Sequence, residues 1–204
     1  MLKIALPKGR MGDKVYAMFE SIGYPCREIK EDNRKLVFRS DNGEVSYVLV
    51  KPSDVTVYVE RGAADIGVVG KDVMLETRPD VYEILDLNIG KCRIAVAGKV
   101  GFKDDPSLAL RVATKYPNIA KKYYDSLGRK IDIIELHGSI ELAPILDMSD
   151  VIVDIVETGA TLKENDLCVY SVIGESSARL IANKSAYNLG GDMIRSIAAK
   201  LEAL

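Results

Sequence analysis

The side chains best suited to chemistry lie in residues 151–165, V-I-V-D-I-V-E-T-G-A-T-L-K-E-N. An apolar, β-branched run opens this stretch and predicts a buried strand. Two carboxylates, Asp154 and Glu157, stand at its downstream end, and small or hydroxyl-bearing residues follow them. The backbone N–H groups and hydroxyls of Thr158-Gly159-Ala160-Thr161 can converge on one anion. The order therefore predicts a strand, an acidic turn and an anion-binding loop.

We expect a helix after this loop, because Thr161 and Glu164 have the spacing of a capping box with Thr161 as N-cap. The N-terminus of a helix favours negative charge. A phosphate alone would not need the two carboxylates, whereas ribose hydroxyls, or Mg²⁺ held jointly with a diphosphate, would use them. The pattern predicts a phosphoribosyl ligand, and the alternative is an ordinary capped strand-to-helix turn.

Cationic side chains follow two other predicted strands. Lys8 and Arg10, separated by a glycine, come after the apolar residues 2–6, and Lys115 follows a strand predicted over residues 108–113. Sheets of α/β proteins bind ligands outside the carboxyl ends of their strands, so these positions suit an anionic ligand. Taken alone, Lys8 and Arg10 are explained at least as well as solvated loop charges.

Two further glycine-containing turns stand where a strand meets a helix. Gly70-Lys71-Asp72 follows a strand predicted over residues 64–70, and Gly138-Ser139 forms a second candidate anion loop after residues 131–136. His137 beside it is more often a solvated loop residue than a general base. It is the one histidine, which excludes a multi-histidine zinc site. The chain has no G-x-G-x-x-G or Walker motif, which disfavours dinucleotide and P-loop chemistry.

The elements that must position these residues alternate between strand and helix patterns. The alternation predicts an α/β fold with mainly parallel strands. We expect a hairpin of residues 36–39 and 44–50, a helix over 55–59 and a last helix that begins at Gly190-Gly191-Asp192. Pattern alone marks no domain boundary.

Composition narrows the function classes. The 204 residues are 48% hydrophobic, which is enough for one or two small domains, and the net charge of −2 argues against duplex nucleic acid as a partner. No apolar run approaches the roughly 18 residues of a membrane span, and the N-terminal apolar run is too short for a signal peptide. Three widely spaced cysteines imply no disulfide framework. We expect a cytoplasmic protein.

Five segments, in order, resemble the motifs of the ATP phosphoribosyltransferase family, the first enzyme of histidine biosynthesis. They are Pro7-Lys8-Gly9-Arg10, Ala64-Asp65-Ile66-Gly67 with Gly70-Lys71-Asp72, Ala113-Thr114-Lys115-Tyr116-Pro117-Asn118, Gly138-Ser139-Ile140-Glu141-Leu142-Ala143-Pro144, and Asp154-Ile155-Val156-Glu157-Thr158-Gly159-Ala160-Thr161-Leu162. The length resembles that of the short-form catalytic subunit, which lacks a C-terminal regulatory domain.

The resemblance implies two α/β domains of the type II periplasmic-binding-protein kind with a ligand cleft between them. Domain I would comprise residues 1–88 and 175–204, and domain II residues 89–174 with the phosphoribosyl pyrophosphate loop. The family transfers phosphoribosyl from phosphoribosyl pyrophosphate to N1 of ATP and releases pyrophosphate, using Mg²⁺ that is carried with the diphosphate and not by the protein alone. The short form works in a hetero-octamer with a regulatory subunit resembling histidyl-tRNA synthetase, and histidine inhibits that complex.

The resemblance also assigns site residues. Asp154, Glu157, Lys8 and Arg10 would be catalytic. The substrate-binding residues would be Lys51, Gly70, Asp72, Lys115, Gly138, Ser139, Glu141, Thr158, Gly159, Ala160, Thr161 and Leu162. Ala160 stands where other members can carry Arg, and a small residue is adequate for a backbone cradle.

Two alternatives come from other function classes. The first is a non-catalytic module that binds small anions, because a fold does not fix a function. The lack of a signal peptide pattern and the two acidic residues by the phosphate loop argue against it. The second is a phosphoribosyltransferase for another base, because nothing but the resemblance selects ATP.

Overall fold

The computed structural model describes residues 1–32 and 34–204. These form two compact units, which we call unit 1, Met1–Gly90 with Ser177–Leu204, and unit 2, Lys91–Ser176. The strands are β1 (Leu2–Pro7), β2 (Val37–Arg39), β3 (Val45–Val50), β4 (Ile66–Gly70), β5 (Tyr82–Asp86), β6 (Cys92–Lys99), β7 (Leu110–Thr114), β8 (Ile131–Glu135), β9 (Val151–Val156), β10 (Leu167–Ser176) and β11 (Ala178–Ala182). The helices are α1 (Arg10–Ser21), α2 (Val55–Glu60), α3 (Lys71–Thr77), α4 (Pro117–Ser126), α5 (Leu142–Ile145), α6 (Ala160–Glu164) and α7 (Lys184–Glu202).

Unit 1 is built on a sheet whose strand order is β2-β3-β1-β4-β11-β5. Side chains of successive strand residues point to opposite faces. In β1, Ile4 and Leu6 accordingly pack in one cluster with Phe19 of α1 and Ile194 of α7. Ala5 between them packs on the other side with residues of α2. Both faces of this sheet are thus covered by helices, which explains why its central strands are apolar throughout.

Unit 2 repeats this layering on a sheet whose order is β10-β6-β9-β7-β8. Val151 and Val153 of β9 pack with residues of α4. Ile152 and Val156 pack on the opposite face, in a cluster that includes Leu162 of α6. The apolar residues of β9 are therefore divided between two cores, as expected for a strand buried on both sides.

The expectation of mainly parallel strands is wrong, because both sheets are mixed. β1 pairs in parallel with β3 and β4, and β7 pairs in parallel with β8 and β9. The β2–β3 hairpin is antiparallel, as are the pairs that β6, β10 and β11 form. The parallel pairs lie around β1 and β7, while β6 and β11, the first strand after each crossing of the chain between units, run opposite to the strands beside them.

The last helix begins earlier than predicted. It starts at Lys184, where the Asn183 Oδ1 atom accepts a hydrogen bond of 3.0 Å from the Ala186 N–H. Gly190 (φ −145°, ψ 29°) interrupts the helical backbone. The glycines therefore mark a kink and not a helix start, and the cap residue is Asn183. The strand predicted in residues 151–156, the β2–β3 hairpin and the helix over 55–59 are confirmed.

The described residues include no helix that is both long enough and apolar enough to cross a membrane.

Candidate active site

Strand β9 places Asp154 and Glu157 in different surroundings. Asp154 lies on the same face of the strand as Ile152 and Val156, so its side chain enters the layer packed by α5 and α6, and only 13% of it is exposed. Glu157 follows the last strand residue and is exposed. One carboxylate is therefore held inside unit 2 and the other stands at its surface.

The register of β7 against β9 explains the partner of Asp154. Thr114 lies opposite Val153 in this parallel pair, so the next residues, Lys115 and Asp154, also face each other. The Lys115 Nζ atom is 3.2 Å from Asp154 Oδ1, which also accepts a 2.7 Å hydrogen bond from the Ile155 N–H. Burial raises the pKa of Asp154, the charge of Lys115 opposes this shift, and nearby Glu141 adds to it.

A third strand end brings the predicted Gly138-Ser139 turn to this edge. The Leu136 N–H donates to the Thr114 carbonyl at 3.0 Å, which sets the end of β8 beside Lys115. Gly138 and Ser139 are exposed, and Glu141 is half-buried at the start of α5. His137 is exposed.

The loop after β9 turns at Gly159, whose left-handed backbone (φ 79°, ψ 5°) suits glycine. Thr158, Ala160 and Thr161 around it are exposed. The Ala160 N–H contacts Thr158 Oγ1 at 3.3 Å, while the N–H groups of Thr161 and Leu162 lie in the first turn of α6, before any carbonyl of that helix can accept from them. These two N–H groups are therefore available to an anion.

One expectation about this loop needs correction. The predicted capping box is wrong, because α6 begins at Ala160 with Gly159 as its cap residue and no side chain caps it. The left-handed backbone of Gly159 lets the chain turn into the helix at Ala160. Thr161 is therefore a residue of the first helical turn and not the cap. The Leu162 side chain is buried in the unit 2 core with Ile152 and Val156, so only its backbone faces the loop.

Unit 1 gathers three predicted cations at one edge of its own sheet. Pro7 and Val50 are paired at the ends of β1 and β3, and the Lys8 N–H donates to the Val50 carbonyl at 2.8 Å. Lys8 and Lys51 therefore follow neighbouring strand ends, and both are exposed. Arg10, the first residue of α1, is exposed as well.

Two glycines of unit 1 lie where an added Cβ atom would meet another group closely. A Cβ atom at Gly12 would lie 1.8 Å from the Pro7 carbonyl oxygen, so the first turn of α1 can pack on this loop only with glycine there. Sequence reasoning missed Gly12, and its only signal was a glycine inside a helical pattern. A Cβ atom at Gly70 would lie 2.2 Å from Asp72 Oδ1, because the buried Asp72 carboxylate folds back over Gly70.

The described part of the chain contains no group of three or more His, Cys, Asp or Glu side chains placed to hold a metal ion.

The family model and the relatives that match this chain all carry the same name. The family model HisG, described as ATP phosphoribosyltransferase, matches residues 51–203. The ATP phosphoribosyltransferase of Brachyspira hyodysenteriae is 58% identical over 203 residues, which cover 99% of this chain and 98% of that protein. That of Clostridioides difficile is 50% identical over 206 residues, with 100% and 98% covered.

A solved structure is similar over the whole chain. The ATP phosphoribosyl transferase (HisG:HisZ) complex from Thermotoga maritima contains a chain that matches with a TM-score of 0.87 and 35% identity, covering 100% of this chain and 98% of that one. The two mixed α/β units thus have the type II periplasmic-binding-protein fold.

Proposed function

The chain belongs to the ATP phosphoribosyltransferase family, and we propose that the edge of unit 2 around Lys115 and Asp154 binds its phosphoribosyl substrate. The enzyme transfers phosphoribosyl from phosphoribosyl pyrophosphate to ATP in the first step of histidine biosynthesis. The Lys115–Asp154 ion pair carries the proposal, because it sets a buried carboxylate and a cation side by side just beyond the last paired residues of β7 and β9.

The loop that follows β9 would take the 5′-phosphate. Thr161 and Leu162 would supply the backbone N–H groups at the start of α6, and Thr158 and Thr161 their hydroxyls, while Gly159 and Ala160 would form the turn that exposes them. Asp154 and Glu157 would face the ribose, where carboxylates accept hydrogen bonds from hydroxyls. Lys115, Gly138, Ser139 and Glu141 complete this edge of unit 2.

Unit 1 would bind the charged parts of the two substrates. Lys8, Arg10 and Lys51 offer three cations near one sheet edge, which suits pyrophosphate and the phosphates of ATP. Gly70 and Asp72 form a tightly folded turn at the end of the neighbouring strand, β4, against which these phosphates would lie.

The mechanism needs no covalent intermediate, because N1 of adenine is already a nucleophile. Positive charge develops at C1′ of the ribose as the bond to pyrophosphate breaks. Asp154 and Glu157 would stabilise this charge and orient the hydroxyls, while Lys8 and Arg10 would stabilise the departing diphosphate. Catalysis is then mainly positioning and electrostatic stabilisation.

The donor set fits Mg²⁺ that arrives with its substrate. Asp154 has one carboxylate oxygen beyond the Oδ1 atom that Lys115 and Ile155 occupy, and Glu157 is exposed, so these two side chains could complete a coordination sphere supplied largely by diphosphate oxygens. Bound Mg²⁺ would offset the negative charge that develops on the departing diphosphate.

We propose two properties beyond the catalytic site. The structural relative from Thermotoga maritima is a HisG:HisZ complex, and the chain resembles the short form, so we propose that it assembles with a regulatory subunit resembling histidyl-tRNA synthetase in a hetero-octamer. We also propose a cytoplasmic location, where both phosphorylated substrates are made.

The test compares two ion pairs on the same two strands. Formation of phosphoribosyl-ATP is followed by ultraviolet absorbance with phosphoribosyl pyrophosphate, ATP and Mg²⁺, with and without the regulatory subunit. Lys115→Met and Asp154→Asn should each lower kcat/KM for phosphoribosyl pyrophosphate by about 10²-fold, the scale of losing one electrostatic contact to the reacting group. Arg111→Met and Asp150→Asn, which break the pair at the other end of β7 and β9, should leave it nearly unchanged. Equal losses in all four variants would contradict the proposal.

A further inference from the structure

Thr114, the last residue of β7, has a fully buried side chain with both hydrogen-bonding roles of its hydroxyl filled. The hydroxyl donates to the Val153 carbonyl of β9 at 2.6 Å and accepts from the Tyr116 N–H at 2.8 Å. Both partners are main-chain groups, so the hydroxyl fixes the course of two backbone segments and does not merely fill space.

These two segments carry the ion pair of the candidate site. Thr114 directly precedes Lys115, and Val153 directly precedes Asp154, and the two strand residues are register partners. The bond to Val153 sets how closely the two strand ends approach each other. The bond to the Tyr116 N–H sets where the backbone leaves the sheet, because the chain turns at Tyr116 (φ −124°, ψ 63°) and α4 begins at the next residue.

We propose that Thr114 is a positioning residue for phosphoribosyl transfer. Its hydroxyl sets the separation of Lys115 Nζ and Asp154 Oδ1, and hence the arrangement of charge offered to phosphoribosyl pyrophosphate. This inference rests on the proposed role of that ion pair. Thr114 itself is fully buried and touches no substrate.

The side chain can be changed one atom group at a time. Valine has nearly the shape of threonine but no hydroxyl, so Thr114→Val would leave the Tyr116 N–H and the Val153 carbonyl without this partner in a buried place. Serine keeps the hydroxyl and loses only a methyl group. If Thr114 only fills space, the serine variant should lose more activity than the valine variant. If its hydroxyl positions the ion pair, the valine variant should lose more.

The experiment measures steady-state kinetics of the full chain, assayed with its regulatory subunit. Thr114→Val should lower kcat/KM for phosphoribosyl pyrophosphate about tenfold, the effect of roughly one buried hydrogen bond, and should leave KM for ATP unchanged. Thr114→Ser should stay close to wild type. Asp150→Asn, which we expect to destabilise unit 2 away from the site, calibrates how far a loss of stability alone affects the rate. If Thr114→Val fails to fold, Thr114→Ala against Thr114→Ser makes the same comparison, since they differ by one hydroxyl oxygen.

A double variant separates this inference from the proposed function. If Thr114 acts through the ion pair, adding Thr114→Val to Lys115→Met should cost little more than Lys115→Met alone. The role of Thr114 would be overturned if the fold-losses of the two single variants multiply in the double variant. It would also be overturned if the valine variant has a normal rate while Lys115→Met is impaired. Either result would leave the proposed function standing. Normal kinetics for Lys115→Met and Asp154→Asn would overturn both.

Discussion

Two aspartates, one just before β9 and one in its second half, show how surroundings decide what a carboxylate can do. Asp150 accepts from the backbone N–H of Arg111 at 2.9 Å and from its guanidinium at 2.6 and 3.3 Å, and these bonds lower its pKa. Asp154 has a single contact with Lys115, and burial raises its pKa. Because charge is costly where it is poorly solvated, the second aspartate is the one expected at a functional site.

Replacing Asp154 by asparagine should therefore stabilise the fold while it impairs the enzyme. A raised pKa in the folded state means that stability falls as pH rises from about 4, the ordinary carboxyl range, through the raised value. Above that window, Asp154→Asn should unfold at a higher temperature than wild type, by about 2–4 °C for each kcal/mol gained. Thermal unfolding between pH 3 and pH 8 measures this effect, and a lower melting temperature at pH 8 would contradict it.

Asp150→Asn is the matched control, and its effect on stability should have the opposite sign. Since the pKa of Asp150 is lowered in the folded state, its pair with Arg111 contributes stability above the ordinary carboxyl range, and this is lost as pH falls through the lowered value. At pH 7 the variant should melt at a lower temperature than wild type, because it loses on the order of 1 kcal/mol of unfolding free energy with a partly exposed pair. The difference should shrink towards pH 3. Enzymatic activity should be retained at temperatures well below melting.

Glu157→Gln should separate turnover from folding. Glu157 is exposed after the last residue of β9, where a change of charge has little effect on stability. If its carboxylate stabilises positive charge at C1′, kcat should fall about 10–10²-fold, with the denaturant midpoint unchanged. Glu164→Gln on α6, also exposed, is the control. Equal loss of stability and activity in Glu157→Gln would count against the catalytic role.

At the scale of elements, sequence patterns located the strand ends but not the contacts between them. The apolar runs before Lys115 and Asp154 predicted that both stand at strand ends. That they face each other depends on the register of β7 against β9, which is a long-range property. The roles of Thr114 and Gly12 likewise depend on atoms that are distant in sequence or supplied by another element. Asn183 was missed because the nearby Gly190-Gly191 gave a stronger local signal than its cap.

Gly12→Ala should disrupt the loop that carries Lys8 and Arg10. The added Cβ atom would lie 1.8 Å from the Pro7 carbonyl oxygen, and backbone cannot yield as a flexible side chain can. We expect a loss of about 1–3 kcal/mol from overpacking, despite the better helix propensity of alanine, and a higher KM for the substrates. Gly174→Ala, where a Cβ atom meets nothing within 4 Å, should cost far less. Denaturant titration compares the two, and equal stability would show that α1 can shift at no cost.

At the scale of the whole molecule, the division into two units left no mark in the local pattern. The chain leaves unit 1 after Gly90 and returns at Ser177 through strand-like sequence, with β10 ending at Ser176 and β11 beginning at Ala178. Neither crossing has the polar, glycine-rich composition of a flexible linker. The resemblance to a family implied a discontinuous first domain, which periodicity could not show. The antiparallel pairs of β6, β10 and β11 were missed for the same reason, because strand direction depends on where the chain returns.

Unit 2 should fold when it is made alone as residues 91–176. It is one continuous segment with apolar clusters on both faces of a complete sheet. Its two ends are also neighbours, since Cys92 and Ser176 are paired between β6 and β10, so that excision cuts no strand pairing of unit 2.

For the isolated segment we expect cooperative thermal unfolding by circular dichroism and dispersed amide resonances. Asp150→Asn should destabilise this segment and Asp154→Asn should stabilise it at pH 7, as in the full chain. The segment should form no phosphoribosyl-ATP, because Lys8, Arg10 and Lys51 belong to unit 1. An unstructured segment would show that its two cores depend on unit 1, and product formation would remove unit 1 from the catalytic machinery.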